Sequence, residues 1–191
     1  MTRLFTGIEI PLEQREQLAR LRQPSAGVRW VEQENLHITL RFAGDIDNTR
    51  AAEFADHLAS IDIDAFEVRL AGIGVFGGKE PRSIWAGIEA GPELKVLARA
   101  NERVARLAGL APEGRAFKAH ATIARVKRRG AESVARLLGR IGAFRSVPFI
   151  VNRFVLYSSR PKTGGGPYVV EDTFPLKGGE FADFEETGGS W

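Results

Sequence analysis

The sequence contains no cysteine, one methionine and three histidines among 191 residues. The absence of cysteine excludes disulfides, thiolate metal ligands and cysteine nucleophiles, and it favours a reducing, cytoplasmic location. No apolar run approaches the length of a transmembrane helix, and the N-terminal segment turns polar too early for a secretory signal. We therefore expect a cytoplasmic protein, monomeric and without a membrane partner.

Charge is present in both signs but is unevenly distributed. The formal net charge is only +3. Between Lys118 and Lys162, however, there are eleven Lys or Arg residues and a single acid, Glu132, whereas residues 171–191 hold six acids and one lysine. A basic half indicates an anionic substrate. The last dozen residues, 180–191, are rich in Glu and Gly, and we expect them to be poorly ordered.

Alternation and capping signals predict a chain that mixes strands with helices. The expected strands are residues 3–9, 28–32, 36–42, 66–77, 83–90, 118–126, 147–158 and 167–176. The expected helices are residues 11–21, 48–58 with Asn48 or Thr49 as the cap, 92–109 and 131–141. The sequence "GDIDN" between the third strand and the second helix is expected to form a turn.

The two halves of the sequence follow a similar order of elements. His37 and Phe66 are separated by 29 positions, and His120 and Phe149 by the same number, with a turn and a predicted helix inside each interval. This spacing suggests a duplication. We predict one bilobal α+β domain over residues 1–191. Its two lobes are related by a pseudo-twofold axis, and each carries an antiparallel sheet and flanking helices. Strands can be exchanged between the lobes. The active site would lie in the central cleft.

Two of the three histidines occupy the same short pattern, in "LHITLRF" and in "KAHATIARV". On a strand, His37 and Thr39 share one face, as do His120 and Thr122. Imidazole titrates near pH ~6.5, so two imidazoles on opposite sides of a phosphodiester can act as general base and general acid. Threonine hydroxyls can donate to the phosphate oxygens. The pattern therefore predicts phosphodiester chemistry.

An arginine near each histidine is a candidate to neutralise charge on the phosphate. Arg41, four residues after His37, shares its face in a regular strand. Arg125, five residues after His120, has the wrong parity and reaches the same face only if the strand ends, twists or bulges. From spacing alone both arginines are candidates.

Further candidates surround these motifs. Trp30, Lys118 and Tyr168 are candidate substrate-binding residues. Phe42 alternates onto the apolar face, so we expect it in the core. No spacing in the sequence supplies three His or carboxylate ligands, and we expect neither a metal nor a cofactor.

The paired motifs resemble those of a known family. "LHITLRFAG" and "AHATIARV" are similar to the two H-x-T-aliphatic signatures of the two-histidine (2H) phosphoesterases, and most similar to those of the bacterial and archaeal RNA 2′,3′-cyclic phosphodiesterases, long called 2′-5′ RNA ligases. "RLFTGIEIP" near the start and "SRPKTGGGPYVVEDTFPL" near the end also suit that group.

The resemblance implies a bilobal, duplicated fold and metal-independent opening of a 2′,3′-cyclic phosphate at an RNA 3′ end to a 2′-phosphomonoester. It implies that the reaction can run backward to form a 2′-5′ linkage. It assigns His37 as proton donor and His120 as proton acceptor, and it places Thr39, Thr122 and Arg125 on the phosphate, with Arg41 ranked second.

Two alternatives remain open from the sequence. The same chemistry can act on a small cyclic nucleotide such as ADP-ribose 1″,2″-cyclic phosphate, because the motifs do not report what touches the rest of the substrate. The chain can also be a nucleotide-binding module that has lost turnover, although both histidines and both threonines are present.

Overall fold

The computed structural model describes residues 1–127, 131–160, 162 and 165–179. Its strands are β1 (Thr2–Glu9), β2 (Val28–Trp30), β3 (His37–Ile46), β4 (Phe66–Phe76), β5 (Ser83–Ala90), β6 (His120–Val126), β7 (Phe149–Val151), β8 (Arg153–Ser159) and β9 (Val169–Pro175). Its helices are α1 (Leu12–Ala19), α2 (Asn48–Ala59), α3 (Pro92–Leu107) and α4 (Ala131–Ile141), with a single 3-10 turn at Gln33–Asn35. The prediction of disorder for residues 180–191 lies outside the described residues.

Within the described ranges the strands form one antiparallel sheet in the order β7-β4-β5-β6-β3-β1-β8-β9, with β2 attached to β6. This order is symmetric about the junction of β6 and β3, because four strands lie on each side. β5 pairs with β6, and β1 pairs with β8, so each side of the sheet combines two strands from the first half of the sequence with two from the second half. The predicted duplicated α+β fold is confirmed, with one continuous sheet in place of two separate ones.

The helices cover one face of this sheet. Leu97 of α3, Phe54 of α2 and Leu137 of α4 join a single apolar cluster with strand residues such as Ile38 and Ile84. Burial of this cluster is the main driving force for the fold. The opposite face of the sheet carries both motif histidines and is not covered by these helices. None of the helices in the described part of the chain is long and apolar enough to cross a membrane.

Strand β3 contains two more residues than the stretch of β1 that it pairs with. The register shifts by one at Leu40 and again at Ala43. An extra residue reverses which side chains point to each face. After Leu40, Arg41 therefore points toward the helices and Phe42 toward the open face.

Two predictions about this strand are therefore wrong. Arg41 is only 6% exposed, forms an ion pair with Glu102 of α3 and donates to the backbone carbonyls of Phe42 and Ala111. It does not share the face of His37, and this removes it from the candidate phosphate ligands. Phe42, expected in the core, is 38% exposed on the open face.

The bulges also explain why the predicted turn and cap are misplaced. β3 continues through Gly44, whose φ of +81° suits glycine, and ends at Ile46 opposite the start of β1. The helix cap is then Asp47, whose carboxylate accepts a hydrogen bond from the Arg50 backbone N–H at 3.0 Å. Neither of the two residues proposed as the cap has this role.

The ion pair beneath the sheet makes a testable prediction. Replacing Glu102 with alanine leaves the buried Arg41 guanidinium without its carboxylate, and we expect the free energy of unfolding to fall by about 3 kcal/mol. Urea denaturation at pH 7 measures the change. Glu53→Ala, which removes an exposed carboxylate from α2, is the matched control. An equal loss in the two variants would show that the buried pair contributes no special stability.

Candidate active site

The two motif histidines are held in the same way, each at the first position of its strand. Nδ1 of His37 lies 2.7 Å from the carbonyl oxygen of Asn35, and Nδ1 of His120 lies 2.6 Å from that of Lys118. A carbonyl oxygen only accepts, so each Nδ1 donates its proton. When either ring is neutral, its Nε2 therefore carries the free lone pair. Two positioned nitrogens of this kind can exchange protons with a substrate.

The strand register places the two imidazoles close together on the open face. Ile38 of β3 lies directly opposite Ala121 of β6 in an antiparallel pair. Both residues are fully buried on the helix side, and the histidine that precedes each one points the other way. The pseudo-twofold axis of the sheet passes between these two strands, so the histidines are related by it.

The electrostatics of the site act strongly on His37. Burial of the ring lowers the pKa of His37 from 6.5 to about 4, opposed by the hydrogen bond to Asn35 and assisted by the charges of His120 and Arg125. His37 is therefore neutral at pH 7 in the free protein. The effect of His120 and Arg125 on the pKa of His37 indicates that both groups lie near its ring.

The lowered pKa makes protein stability depend on pH. Between pH 6.5 and pH 4 the unfolded chain carries a proton on His37 that the folded protein does not, so stability falls as the pH decreases through this range. We expect the stability advantage of wild type over His37→Asn to shrink by at most about 3 kcal/mol between these limits. Urea denaturation of both proteins at several pH values tests this. If the difference in unfolding free energy between the two proteins stayed constant over this pH range, the lowered pKa of His37 would be contradicted.

The threonines of both motifs lie beside the histidines. Thr39 Oγ1 is 3.0 Å from Nε2 of His37, and with Nδ1 protonated the hydroxyl donates to that nitrogen. Thr122 lies two residues after His120 and, like it, is half-buried. Both hydroxyls lie on the open face, and the Thr39 hydroxyl is freed to donate to another acceptor once Nε2 of His37 is protonated.

Arg125 reaches the site through the bulge that its spacing required. The register of β6 against β5 shifts by one at Ile123. Ala124 is consequently buried while Arg125 is exposed, on the same face as His120 and Thr122. The bulge occupies the same place in the motif as the one at Leu40 of β3.

Lys118 flanks His120 on an aromatic platform. Its Nζ lies 4.3 Å from the centroid of the Trp85 ring and 5.0 Å from that of Phe76, in cation–π geometry. The Trp85 ring in turn lies flat over Gly74, where any Cβ would collide with it. Phe76 meets the His120 ring edge-on at 4.9 Å. The structure thus places Lys118 at the rim of the site.

Tyr168 flanks the other histidine. Its ring meets His37 edge-on at 5.0 Å, and its backbone N–H donates to Oδ1 of Asn35 at 3.0 Å. Asn35 therefore connects the segment before β9 to His37, because its own carbonyl orients the imidazole. Tyr168 therefore lies beside His37, and its contact with substrate stays a prediction.

Trp30 does not lie at the site. Strand β2 pairs it with Ala124, which is buried on the helix side of the sheet, and the Trp30 ring packs against the core. Its indole N–H donates to the carbonyl oxygen of Gln23 at 3.1 Å. The prediction that Trp30 binds substrate is therefore wrong, because the register of β2 turns its side chain away from the open face.

Sequence reasoning missed the aromatic residues other than Tyr168 that surround His37. Phe5 lies 4.9 Å and Tyr157 5.5 Å from its ring centroid. Phe42 extends this cluster through a stacked contact with Phe5 at 6.5 Å. One signal was present, since Phe42 follows His37 by the same five positions that separate Arg125 from His120. In the described residues, no three His, Cys, Asp or Glu side chains come together as a metal site.

Comparison with known proteins identifies the family. The sequence model of the LigT-like phosphoesterases matches residues 8–85 and 88–168, a span that includes both His-Thr pairs and Arg125. The chain belongs to this family. It is therefore a phosphoesterase, and the resemblance to the 2H phosphoesterases is confirmed.

Several relatives of this phosphoesterase carry the name RNA 2′,3′-cyclic phosphodiesterase. The protein of Aeropyrum pernix is 40% identical over 132 residues, which cover 65% of this chain and 75% of that protein. The protein of Thermotoga maritima is 30% identical over 184 residues, covering 93% of this chain and 97% of that protein. The crystal structure of E. coli LigT complexed with 3′-AMP aligns with a TM-score of 0.75 at 26% identity, over 92% of this chain and 98% of that one.

Proposed function

We propose that this phosphoesterase hydrolyses 2′,3′-cyclic phosphate ends of RNA to 2′-phosphomonoesters by paired-histidine catalysis. The observation that carries the proposal is the matched pair of imidazoles. Both are clamped through Nδ1 by a backbone carbonyl, and both lie on the open face at the pseudo-twofold axis. The names of the relatives support RNA as the substrate class.

In the proposed reaction, water attacks phosphorus in line with the bond to O3′. Nε2 of His120 accepts a proton from the water as the new P–O bond forms. His37 donates a proton to O3′ as the P–O3′ bond breaks, and the phosphate stays on O2′. Each role contributes typically about 10²–10⁴ in rate.

The donor role requires His37 to be protonated when substrate is bound. Burial and the charges of His120 and Arg125 keep it neutral in the free protein at pH 7. An anionic cyclic phosphate placed against His37 offsets those charges and favours the protonated ring. The mechanism therefore includes uptake of a proton on substrate binding.

The groups that hold the phosphate follow from the same geometry. Thr39 and Thr122 offer hydroxyl donors on either side of the axis, and Arg125 supplies a permanent positive charge on the same face. Charge that develops on the equatorial oxygens is stabilised by such fixed donors. Lys118 and Tyr168, at opposite rims, are proposed to contact the rest of the nucleotide.

The same arrangement supports 2′-5′ ligation. When the 5′-hydroxyl of a second RNA takes the place of water, His120 accepts its proton and the product is a 2′-5′ phosphodiester. The protein groups need no change, because only the nucleophile differs. Ligation would appear at high concentrations of RNA ends.

The test is incubation of an oligonucleotide that ends in a 2′,3′-cyclic phosphate, with EDTA present throughout. We expect hydrolysis, and chromatography against 2′- and 3′-phosphate standards should identify the 2′-phosphate. The His120→Ala variant is the control for contaminating activity. A 3′-phosphate product would overturn the proposed leaving group, and loss of activity with EDTA would overturn metal independence. Tight binding without hydrolysis would identify a binding module.

A further inference from the structure

Strand β2 places a second arginine beside the one at the active site. In the register of β2 against β6, Arg29 lies directly opposite Arg125. Side chains that are directly opposite share a face of the sheet, with Cβ atoms about 5 Å apart. Both arginines are exposed, whereas the flanking Val28 and Val126 pack against the core. The two guanidinium groups therefore emerge side by side on the open face.

This pairing is unfavourable for the protein alone. Like charges directly opposite each other on neighbouring strands are destabilising. Among the described residues, no carboxylate forms an ion pair or hydrogen bond with Arg29 or Arg125. Two guanidinium groups without a carboxylate between them are suited to bind an anion, and phosphate matches their fork geometry.

The position of the pair relative to the histidines indicates which anion. Arg125 is close enough to His37 to lower its pKa, so it belongs to the reacting phosphate. Arg29 lies on the neighbouring strand β2, which pairs with the same edge of β6 as β3 does, at a strand spacing of roughly 4.8 Å. A second phosphate of the substrate, attached to the same nucleotide, would reach this position.

We propose that Arg29 binds the phosphate on the 5′ side of the terminal nucleotide and thereby makes the enzyme prefer 5′-phosphorylated and oligonucleotide ends over a bare cyclic nucleotide. This proposal rests on the proposed function. Arg29 acts on specificity, because it contacts a phosphate that takes no part in the reaction. Arg125 remains on the phosphate that reacts.

The experiment compares three substrates with wild type and Arg29→Ala. They are adenosine 2′,3′-cyclic phosphate, the same nucleotide with a 5′-phosphate, and a dinucleotide with a 2′,3′-cyclic phosphate end. We expect the variant to lower kcat/KM about tenfold to a hundredfold for the two substrates with a 5′-phosphate, the range of one charge-assisted contact. For the bare cyclic nucleotide we expect a change of less than about twofold by the same reasoning.

Salt dependence gives a second readout that a purely structural role would not change. For the dinucleotide, the slope of log kcat/KM against log salt should become shallower by about 0.7 in the variant, the value for one lost phosphate contact on a single strand. Arg103→Ala, which removes an exposed arginine from α3 on the other side of the sheet, is the matched control and should leave the slope unchanged.

The outcomes are distinguishable. Equal losses on all three substrates, or no loss on any, would overturn the proposal for Arg29 while the proposed function stands. If wild type hydrolyses none of the three, the proposed function fails and the proposal for Arg29 fails with it. A selective loss on the 5′-phosphorylated substrates, restored in part by Arg29→Lys, supports it.

Discussion

The single substitutions His37→Ala and His120→Ala should each lower kcat on a cyclic-phosphate oligonucleotide by about 10²–10⁴-fold. Each imidazole presents one nitrogen to the open face, and the third histidine of the sequence, His57, lies on helix α2 and cannot replace either one. Because the two act on the same phosphorus, the double variant should lose much less than the product of the single losses. Single-turnover kinetics at pH 7 measure the effect.

The control separates chemistry from folding. His57 lies on helix α2, at the covered side of the sheet, and His57→Ala should retain wild-type kcat. Circular dichroism of both active-site variants should match that of wild type. If both variants kept kcat near the wild-type value with the fold intact, the paired-histidine mechanism would be eliminated.

Replacing Arg125 with alanine should lower kcat/KM by roughly 10²–10³-fold, the usual loss when one donor to a developing oxyanion is removed. Arg125→Lys should recover only part of this loss, because an ammonium group cannot form the same two parallel hydrogen bonds. The rate is measured with saturating and limiting substrate, so that effects on kcat and KM are separated.

The same substitution has a second consequence that needs no substrate. The charge of Arg125 is one cause of the lowered pKa of His37, so Arg125→Ala should raise that pKa above about 4. Nuclear magnetic resonance titration of the His37 ring measures it, with Arg103→Ala as the control for a general loss of charge. An unchanged or lower pKa in Arg125→Ala would mean that Arg125 does not face His37.

Local patterns in the sequence predicted most elements of the fold and the centre of the site. The His-x-Thr spacing fixes a common face because alternation over three residues needs no knowledge of the partner strand. The strands at residues 66–77 and 83–90 were likewise predicted as adjacent segments, and the structure pairs them as β4 and β5. The equal spacing of elements after each histidine indicated the duplication.

Alternation predicts the correct face from each motif histidine through Leu40 or Ile123 and fails after these residues. The extra residues at Leu40 and Ile123 appear only when β3 is aligned with β1 and β6 with β5. Arg41 and Phe42 were consequently assigned to the wrong faces, and Arg125 could be kept only by family resemblance. Comparing the two motifs position by position would have corrected Phe42, since Arg125 and Phe42 follow their histidines at equal distance.

Trp30 shows a different limit. Its face depends on the pairing of a three-residue strand, β2, with a strand almost a hundred positions later in the chain. A short strand carries little alternation of its own, so its register is set by tertiary contacts. The same register also places Arg29 opposite Arg125.

Strands β3 and β6 are joined by a single rung, Ile38 opposite Ala121. Each imidazole, by contrast, is fixed firmly within its own half by a backbone carbonyl. A small rotation of the halves about this rung would change the gap between the imidazoles while the ladders inside each half stay intact. Turnover should accordingly be sensitive to side-chain volume at these two fully buried positions, although neither residue can touch a substrate.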